Sequence, residues 1–271
     1  VEKGAKLGEG RTAEVFEWGE GKVLKLYRDW CPREWAKAEA EVTRAVHAAG
    51  LPVPAVSYVV DVEGRPGLVC ERVGGRSLRD QLTAAPWHAG WGGRVLARLH
   101  RDLHACTAPA RLPGVRERIA NAVAEVGRDL GADGARVLSV LLELPDGAAV
   151  CHYDFHPENV LGEGDRLRVI DWSNACSGPP AADVARTLLL LRSPYLPDDV
   201  PAALRPVAGG LKHWVAAAYA SEYRRLSGLR QAEIDAWLPP IAAARLREEV
   251  PGEREWLLGI VRGALGPAGS E

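Results

Sequence analysis

The chain has 271 residues with 34 Lys and Arg against 36 Asp and Glu, a net charge of -2, and 47% hydrophobic residues. That length and apolar content provide for one large domain or two lobes with a substantial core, and the near-neutral charge supplies no basic field to draw in nucleic acid or an anionic membrane. No apolar run is long enough to span a bilayer, and the opening VEKGAKLGEG carries no signal-peptide core, so a cytoplasmic protein is expected. The five cysteines, Cys31, Cys70, Cys106, Cys151 and Cys176, are widely spaced without a C-x-x-C pair, and reduced, mostly buried thiols are expected.

The first stretch, KLGEGRTAEVFEWGEGKVLKLY, alternates apolar and polar residues through Val15–Trp18 and again through Val23–Leu26, with Gly19 and Gly21 between. That pattern predicts a β-hairpin behind a glycine-containing turn. In the turn, Gly8-x-Gly10-x-x-Ala13-x-Val15 approximates a kinase phosphate-covering loop, where missing side chains let backbone N–H groups approach phosphate oxygens. The third glycine of that pattern is Ala13, and no G-K-[ST] follows, so it is not a Walker A loop. Lys25 lies on the second strand, opposite in face to Leu24 and Leu26. REWAKAEAEVTRAVHAA then places Ala38, Val42, Ala45, Val46 and Ala49 at helical spacing. Glu39, one turn before Val42, is the expected partner of Lys25, with Glu41 as the fallback.

Gly50 ends that helix and LPVPAV starts an extended segment, because residues before Pro52 and Pro54 avoid helical geometry. Strands are predicted over Val56–Val62 and Gly67–Glu71, running into a hinge from Cys70 to Gly75. Backbone groups there, at Cys70 and Arg72 among others, are placed to meet an adenine. From Ser77, an N-cap, the chain reads as helical. WGGRVLARLHRDLHACTA carries a core-facing stripe of Val95, Leu96, Leu99 and Leu103, with His100 and His104 one turn apart. With no third ligand nearby in sequence, that pair reads as structural. Further helices are expected from Val115 to about Leu130 and from Ala135 to Leu144.

The stretch CHYDFHPENVLGEGDRLRVIDW, Cys151 to Trp172, fixes His152, Asp154, Asn159 and Asp171 around two short apolar runs, Val160-Leu161 and Leu167–Ile170, that read as a hairpin. H-x-D-x-x-x-x-N followed twelve residues later by an Asp after an apolar strand resembles the catalytic and metal-binding loops of protein-kinase-like phosphotransferases. The pattern suits phosphoryl transfer, which needs a base beside the acceptor hydroxyl and hard oxygen ligands for magnesium. Cys151, His152 and His156 do not repeat the paired spacing of structural zinc sites. This hairpin is the only β structure expected after Ser77. Beyond it, Asp183 precedes an apolar helix, where it could cap that helix or tie it to the preceding loop. Helical segments are then predicted around Leu211–Leu226, Gln231–Val250 and Glu253–Leu265, broken by Gly228, Pro239-Pro240 and Pro251-Gly252, with Trp214, Tyr219, Trp237 and Trp256 as core or acceptor-pocket walls.

Taken in order, the glycine turn, Lys25, Glu39, LPVP, HYDFHPENVL, IDW and GPPAADVARTLLL resemble the aminoglycoside phosphotransferase and choline kinase-like family over nearly the whole chain. The resemblance implies an α+β, bilobal protein-kinase-like fold, with a small antiparallel β-sheet lobe over residues 1–76, hinge included, and a larger, mainly helical lobe over 77–271. It implies an ATP- and Mg2+-dependent transfer to a hydroxyl of a small molecule, with no nucleic-acid or membrane partner. Asp154 would be the base and His152 would brace its loop. Asn159 and Asp171 would hold metal. Lys25, positioned by Glu39, would grip phosphates beneath Gly8 and Gly10. Tyr153 stands where the family usually has glycine, and Pro179 where an Asp often follows the glycine before Asp183. A metabolite kinase of the choline, homoserine or sugar type, and a nucleotide-binding pseudokinase, are the competing functions.

Overall fold

The structure, a computed structural model, describes residues 3–164, 166–196 and 200–266. The chain divides into two compact units. One runs to Asp80 and takes in Pro157–Ala175; the other comprises Gln81–His156 and the chain from Cys176 onward.

In the first unit, β1 (Lys6–Glu9), β2 (Ala13–Glu17), β3 (Lys22–Tyr27), β4 (Val56–Val62) and β5 (Arg65–Glu71) form an antiparallel sheet ordered β1-β2-β3-β5-β4. Gly19 and Gly21, both at φ 65°, turn β2 into β3 in a conformation that other residues adopt only with strain. Alternation along β3 sends Leu24 and Leu26 to one face, where they pack with Phe16, Trp18 and Val69. Lys25 and Tyr27 take the other face. The helix α1 (Arg33–Ala48) begins after Pro32 and buries Ala36, Glu39, Ala40, Val42, Thr43 and Val46. It stops at Gly50, whose φ of 84° leaves the right-handed region. Short strands Arg76–Ser77, Val160–Gly162 and Arg168–Val169 make a second small sheet, pairing Val160 with Val169 as the apolar runs of the sequence predict.

The second unit is mainly helical, with helices over Ala89–His104, Val115–Glu125, Asp133–Glu143, Pro180–Arg192, Arg205–Ser227, Leu238–Arg245 and Arg254–Leu265 as its principal elements. The first and fifth of these pack closely because Gly93 carries no side chain. A Cβ there would meet the Val215 carbonyl oxygen at 2.6 Å and the Ala218 side chain at 2.7 Å.

Two expectations are corrected in this unit. An antiparallel ribbon joins Ala149–Cys151 to Cys176–Gly178, additional to the hairpin; strands of three residues are too short to show alternation. The segment predicted as one helix from Val115 to Leu130 breaks after Glu125 into a second short turn, Gly127–Leu130. The segment from Gln231 to Val250 breaks at Pro239-Pro240 as expected, with both prolines in the first turn of Leu238–Arg245, where a missing N–H costs nothing. Of the aromatic residues read as core or acceptor-pocket walls, Tyr219 and Trp237 are in the core and Trp214 is 52% exposed. No helix among the described residues is long and apolar enough to cross a membrane.

Candidate active site

Lys25 is the centre of a buried polar cluster in the first unit. Its Nζ donates to both oxygens of Glu39, each at 2.9 Å, and to Asp171 Oδ1 at 2.8 Å. Strand alternation aims Lys25 at α1, and the helix spacing brings Glu39 to meet it, so the expected pair is the one observed. Glu41 is not its partner. Glu39 also accepts the Tyr27 hydroxyl and, at 3.2 Å, the backbone N–H of Trp172. Burial works against the charge on Lys25, but the carboxylates of Asp171 and Glu39 outweigh it and hold the ammonium well above its ordinary pKa. Burial, followed by the Glu39 charge, likewise keeps the Tyr27 phenol protonated.

Asp171 sits in the left-handed region at φ 61°, an uncommon conformation for a non-glycine residue. Its Oδ1 also accepts the Ser173 hydroxyl at 2.6 Å. Ser173 was not singled out in the sequence, although its place two residues after an Asp in a D-W-S turn is a usable signal.

Gly8, Lys25, Glu39, Cys70, Arg72 and Asp171 line one cavity of about 500 Å3 within this unit, walled by Val15, Val23, Val56, Leu68, Leu161 and Ile170. Apolar walls with a few convergent polar groups are the usual make-up of a small-molecule site. Gly10 and Asn159 are not among its lining residues. Gly10 closes the β1–β2 turn through its N–H to the Ala13 carbonyl at 2.8 Å. Asn159 is buried, and its carbonyl accepts the N–H of Ile170, the residue before Asp171, at 3.0 Å. Burial pushes the Cys70 thiol up to about 12, so it lines the cavity as a neutral group. Arg72 pairs with Glu17 at 2.8 Å.

His152, Tyr153 and Asp154 belong to the second unit. The fully buried carboxylate of Asp183 accepts the His152 N–H at 2.6 Å and the Tyr153 N–H at 2.9 Å, so Asp183 ties its helix to the loop that carries Asp154. His100 Nε2 and His104 Nε2 stand 3.0 and 3.2 Å from the same carboxylate. Tertiary structure thus brings a third group to the histidine pair that is isolated in sequence. Burial opposes the Asp183 charge, yet His100 and His104 hold it well below the usual carboxylate range. Burial and then His104 push His100 down to about 4. His152 is buried, and its Nδ1 accepts the Asp154 N–H at 3.3 Å.

Burial also opposes the Asp154 charge, and it too is overcome. His156, whose Nε2 lies 3.8 Å from Asp154 Oδ1, and the nearby charge of Arg186 hold the carboxyl well below its ordinary range. His156 and Arg186 are neighbours of Asp154 outside the predicted site; His156 is visible in HYDFHP, but Arg186 is 32 positions away in a helix. Tyr153 adopts φ 62°, its ring lying with the guanidinium carbons of Arg118 and Arg186 each 5.4 Å from its centroid.

Residues 3–229 match the phosphotransferase enzyme family. The chain belongs to this family. Comparison of the phosphotransferase with curated protein sequences finds no match. Among solved structures it is similar to aminoglycoside phosphotransferase APH(4)-Ia, with 20% identity, a TM-score of 0.68, and 97% of this chain and 92% of that one covered. It is similar as well to an aminoglycoside-3'-phosphotransferase of type VIII, at 23% identity and TM-score 0.60 over 92% and 93% of the two chains. A choline/ethanolamine kinase family protein from Mesorhizobium loti gives 19% identity and TM-score 0.59 over 98% and 88%. These similarities establish the α+β protein-kinase-like fold of the phosphotransferase.

Proposed function

We propose that this phosphotransferase moves the γ-phosphoryl group of ATP to a hydroxyl of a small, aminoglycoside-like acceptor. The observation that carries the reading is the cavity in which Lys25, locked by Glu39, stands beside Asp171 and the glycine strand. Solved relatives were crystallised with AMP-PNP and hygromycin B, and with streptomycin and ATP, which supports the nucleotide and the acceptor class.

The donor set fits a magnesium nucleotide: Asp171 supplies carboxylate oxygens and Asn159 an amide oxygen, the hard ligands Mg2+ requires. When bound, ATP supplies the phosphoryl group, and Mg2+ held by Asn159 and Asp171 neutralises phosphate charge. Lys25 would exchange its contact with Asp171 for the nucleotide phosphates while Glu39 keeps its ammonium in place. Gly8 would offer its backbone to the phosphates, with Gly10 holding the β1–β2 turn through its N–H to Ala13, and Cys70 and Arg72 would offer backbone groups toward the base. Asp154, ionised at neutral pH, would take the proton of the acceptor hydroxyl. His152 and Asp183 would keep its loop fixed. We assign residues 1–76 to nucleotide binding, and the base and acceptor to 77–271.

A second acceptor class, amino alcohols, is favoured by the similarity to the choline/ethanolamine kinase family protein. Purified enzyme is to be tested with labelled ATP against aminoglycosides, macrolides and amino alcohols. Phosphorylated product is expected with one class, and Asp154→Asn is expected to lose about 10²- to 10⁴-fold in turnover with nucleotide binding retained. Equal ATP consumption by wild type and Asp154→Asn across the panel would refute the assignment of the base.

A further inference from the structure

The carboxylate that anchors the Asp154 loop faces two imidazoles in an arrangement that hydrogen bonding alone fills poorly. His100 and His104, one turn apart on Ala89–His104, aim their Nε2 atoms at the same oxygen, Asp183 Oδ2. That oxygen already accepts the His152 N–H at 2.6 Å, whereas Oδ1 receives only the Tyr153 N–H among the hydrogen bonds described. Three N–H donors on one oxygen exceed its two lone-pair directions. A cation in place of the two imidazole protons would relieve that crowding.

We propose that His100, His104 and Asp183 form a binding site for a divalent transition metal of the zinc class. The three ligand atoms all lie within 4.8 Å of one another, and the two imidazole–carboxylate distances are 3.0 and 3.2 Å. Metal bonds of about 2.0–2.2 Å in tetrahedral geometry set ligand atoms roughly 3.3–3.5 Å apart, so adjustments of a few tenths of an ångström on the carboxylate side suffice. Two imidazoles and one carboxylate favour zinc over magnesium, and three protein ligands leave a fourth position for water.

An outer layer is also in place. His100 Nδ1 lies 2.6 Å from the Tyr219 hydroxyl and His104 Nδ1 lies 2.6 Å from that of Tyr223. The tyrosines are one turn apart on Arg205–Ser227, so two rungs on facing helices fix both ring orientations. Partners at the non-ligating nitrogen are the usual means of orienting a metal-bound histidine. Either tautomer of each imidazole has a partner in these contacts. The ring proton resides on Nε2 when Asp183 is the partner and on Nδ1, toward tyrosine, when a metal takes Nε2.

The test is a cobalt titration of protein freed of metal with EDTA, in the absence of nucleotide. Wild type is expected to bind one equivalent of Co2+ with the intense visible absorption of a four-coordinate site, to lose that absorption on adding Zn2+, and to gain thermal stability from Zn2+. Asp171→Ala is expected to keep the signal, which separates it from a nucleotide-site cation. His104→Gln is expected to abolish it, and Tyr223→Phe, which leaves all three ligands intact, to weaken Co2+ affinity roughly 10- to 100-fold. Absence of the absorption in wild type, or an unchanged spectrum in both His104→Gln and Tyr223→Phe, would overturn the proposal and leave a purely hydrogen-bonded network. None of these readouts depends on phosphoryl transfer, so failure here and failure of the proposed activity are distinguishable.

Discussion

Lys25 Nζ lies 2.8 Å from Asp171 Oδ1, a contact between residues 146 positions apart that closes a triangle of charge with the buried Glu39. One ammonium therefore restrains two carboxylates, and removal of the lysine leaves Glu39, 4% exposed, without its counter-ion.

Lys25→Ala is expected to destabilise the protein by about 3–5 kcal/mol, the usual cost of orphaning a buried charge. Adding Glu39→Gln should recover much of that loss, because the remaining amide needs only hydrogen bonds, while ATP-dependent turnover stays low in both variants. Urea unfolding of the two variants and of Glu39→Gln alone closes the cycle. A double mutant no more stable than Lys25→Ala would show that the ion pair is not the source of the loss.

The pH dependence follows from Asp154. Its folded pKa is depressed, so its charge is complete above the ordinary carboxylate pKa of about 3.9 and is lost only as pH falls well below it. Protonation of this base should therefore contribute no acid limb to kcat/KM between about pH 5 and 8. Replacing His156 by Asn removes one of the groups that lower the pKa while burial, which raises it, and the Arg186 charge remain, so the protonation of Asp154 should move upward from its depressed position. A pH–rate profile unchanged in His156→Asn would contradict that assignment.

Tyr153 combines a left-handed backbone with a hydroxyl that has no hydrogen-bond partner among the described residues and is fully buried. Tyr153→Phe removes only the unmatched hydroxyl and should be neutral or stabilising by up to about 1 kcal/mol. Tyr153→Gly relieves strain of about 1–3 kcal/mol but forfeits a buried ring worth about 3–5 kcal/mol. A net loss of roughly 2 kcal/mol is expected by chemical denaturation. Phe much less stable than Tyr would mean the hydroxyl has a partner in solution.

Asp183→Asn keeps the side-chain shape but removes the charge that receives the His152 and Tyr153 N–H groups. Hydrogen bonds to a charged group contribute about 1.5–3 kcal/mol each, so a loss near 3 kcal/mol is expected, with kcat falling at least tenfold. Nucleotide affinity, read by fluorescence titration, should hold, because the cavity lining lies in the other unit. A variant with wild-type kcat would remove Asp183 from the positioning of the loop.

Sequence alone determined what periodicity and local chemistry can carry. Two-residue alternation set Lys25 opposite Leu24 and Leu26, and the three- and four-residue spacing of α1 set Glu39 on the flank of the apolar stripe, so their pairing was legible before any coordinates. The order of HYDFHPENVL and IDW likewise marked the family, because those residues lie within one short span. Tertiary structure alone decided which distant groups share a charge. Lys25 meets Asp171 across 146 residues, and Asp183 gathers His100, His104 and two loop amides. A periodic pattern reports which face of an element is buried. It does not report what that face is buried against, and the electrostatics of a site depend on the latter.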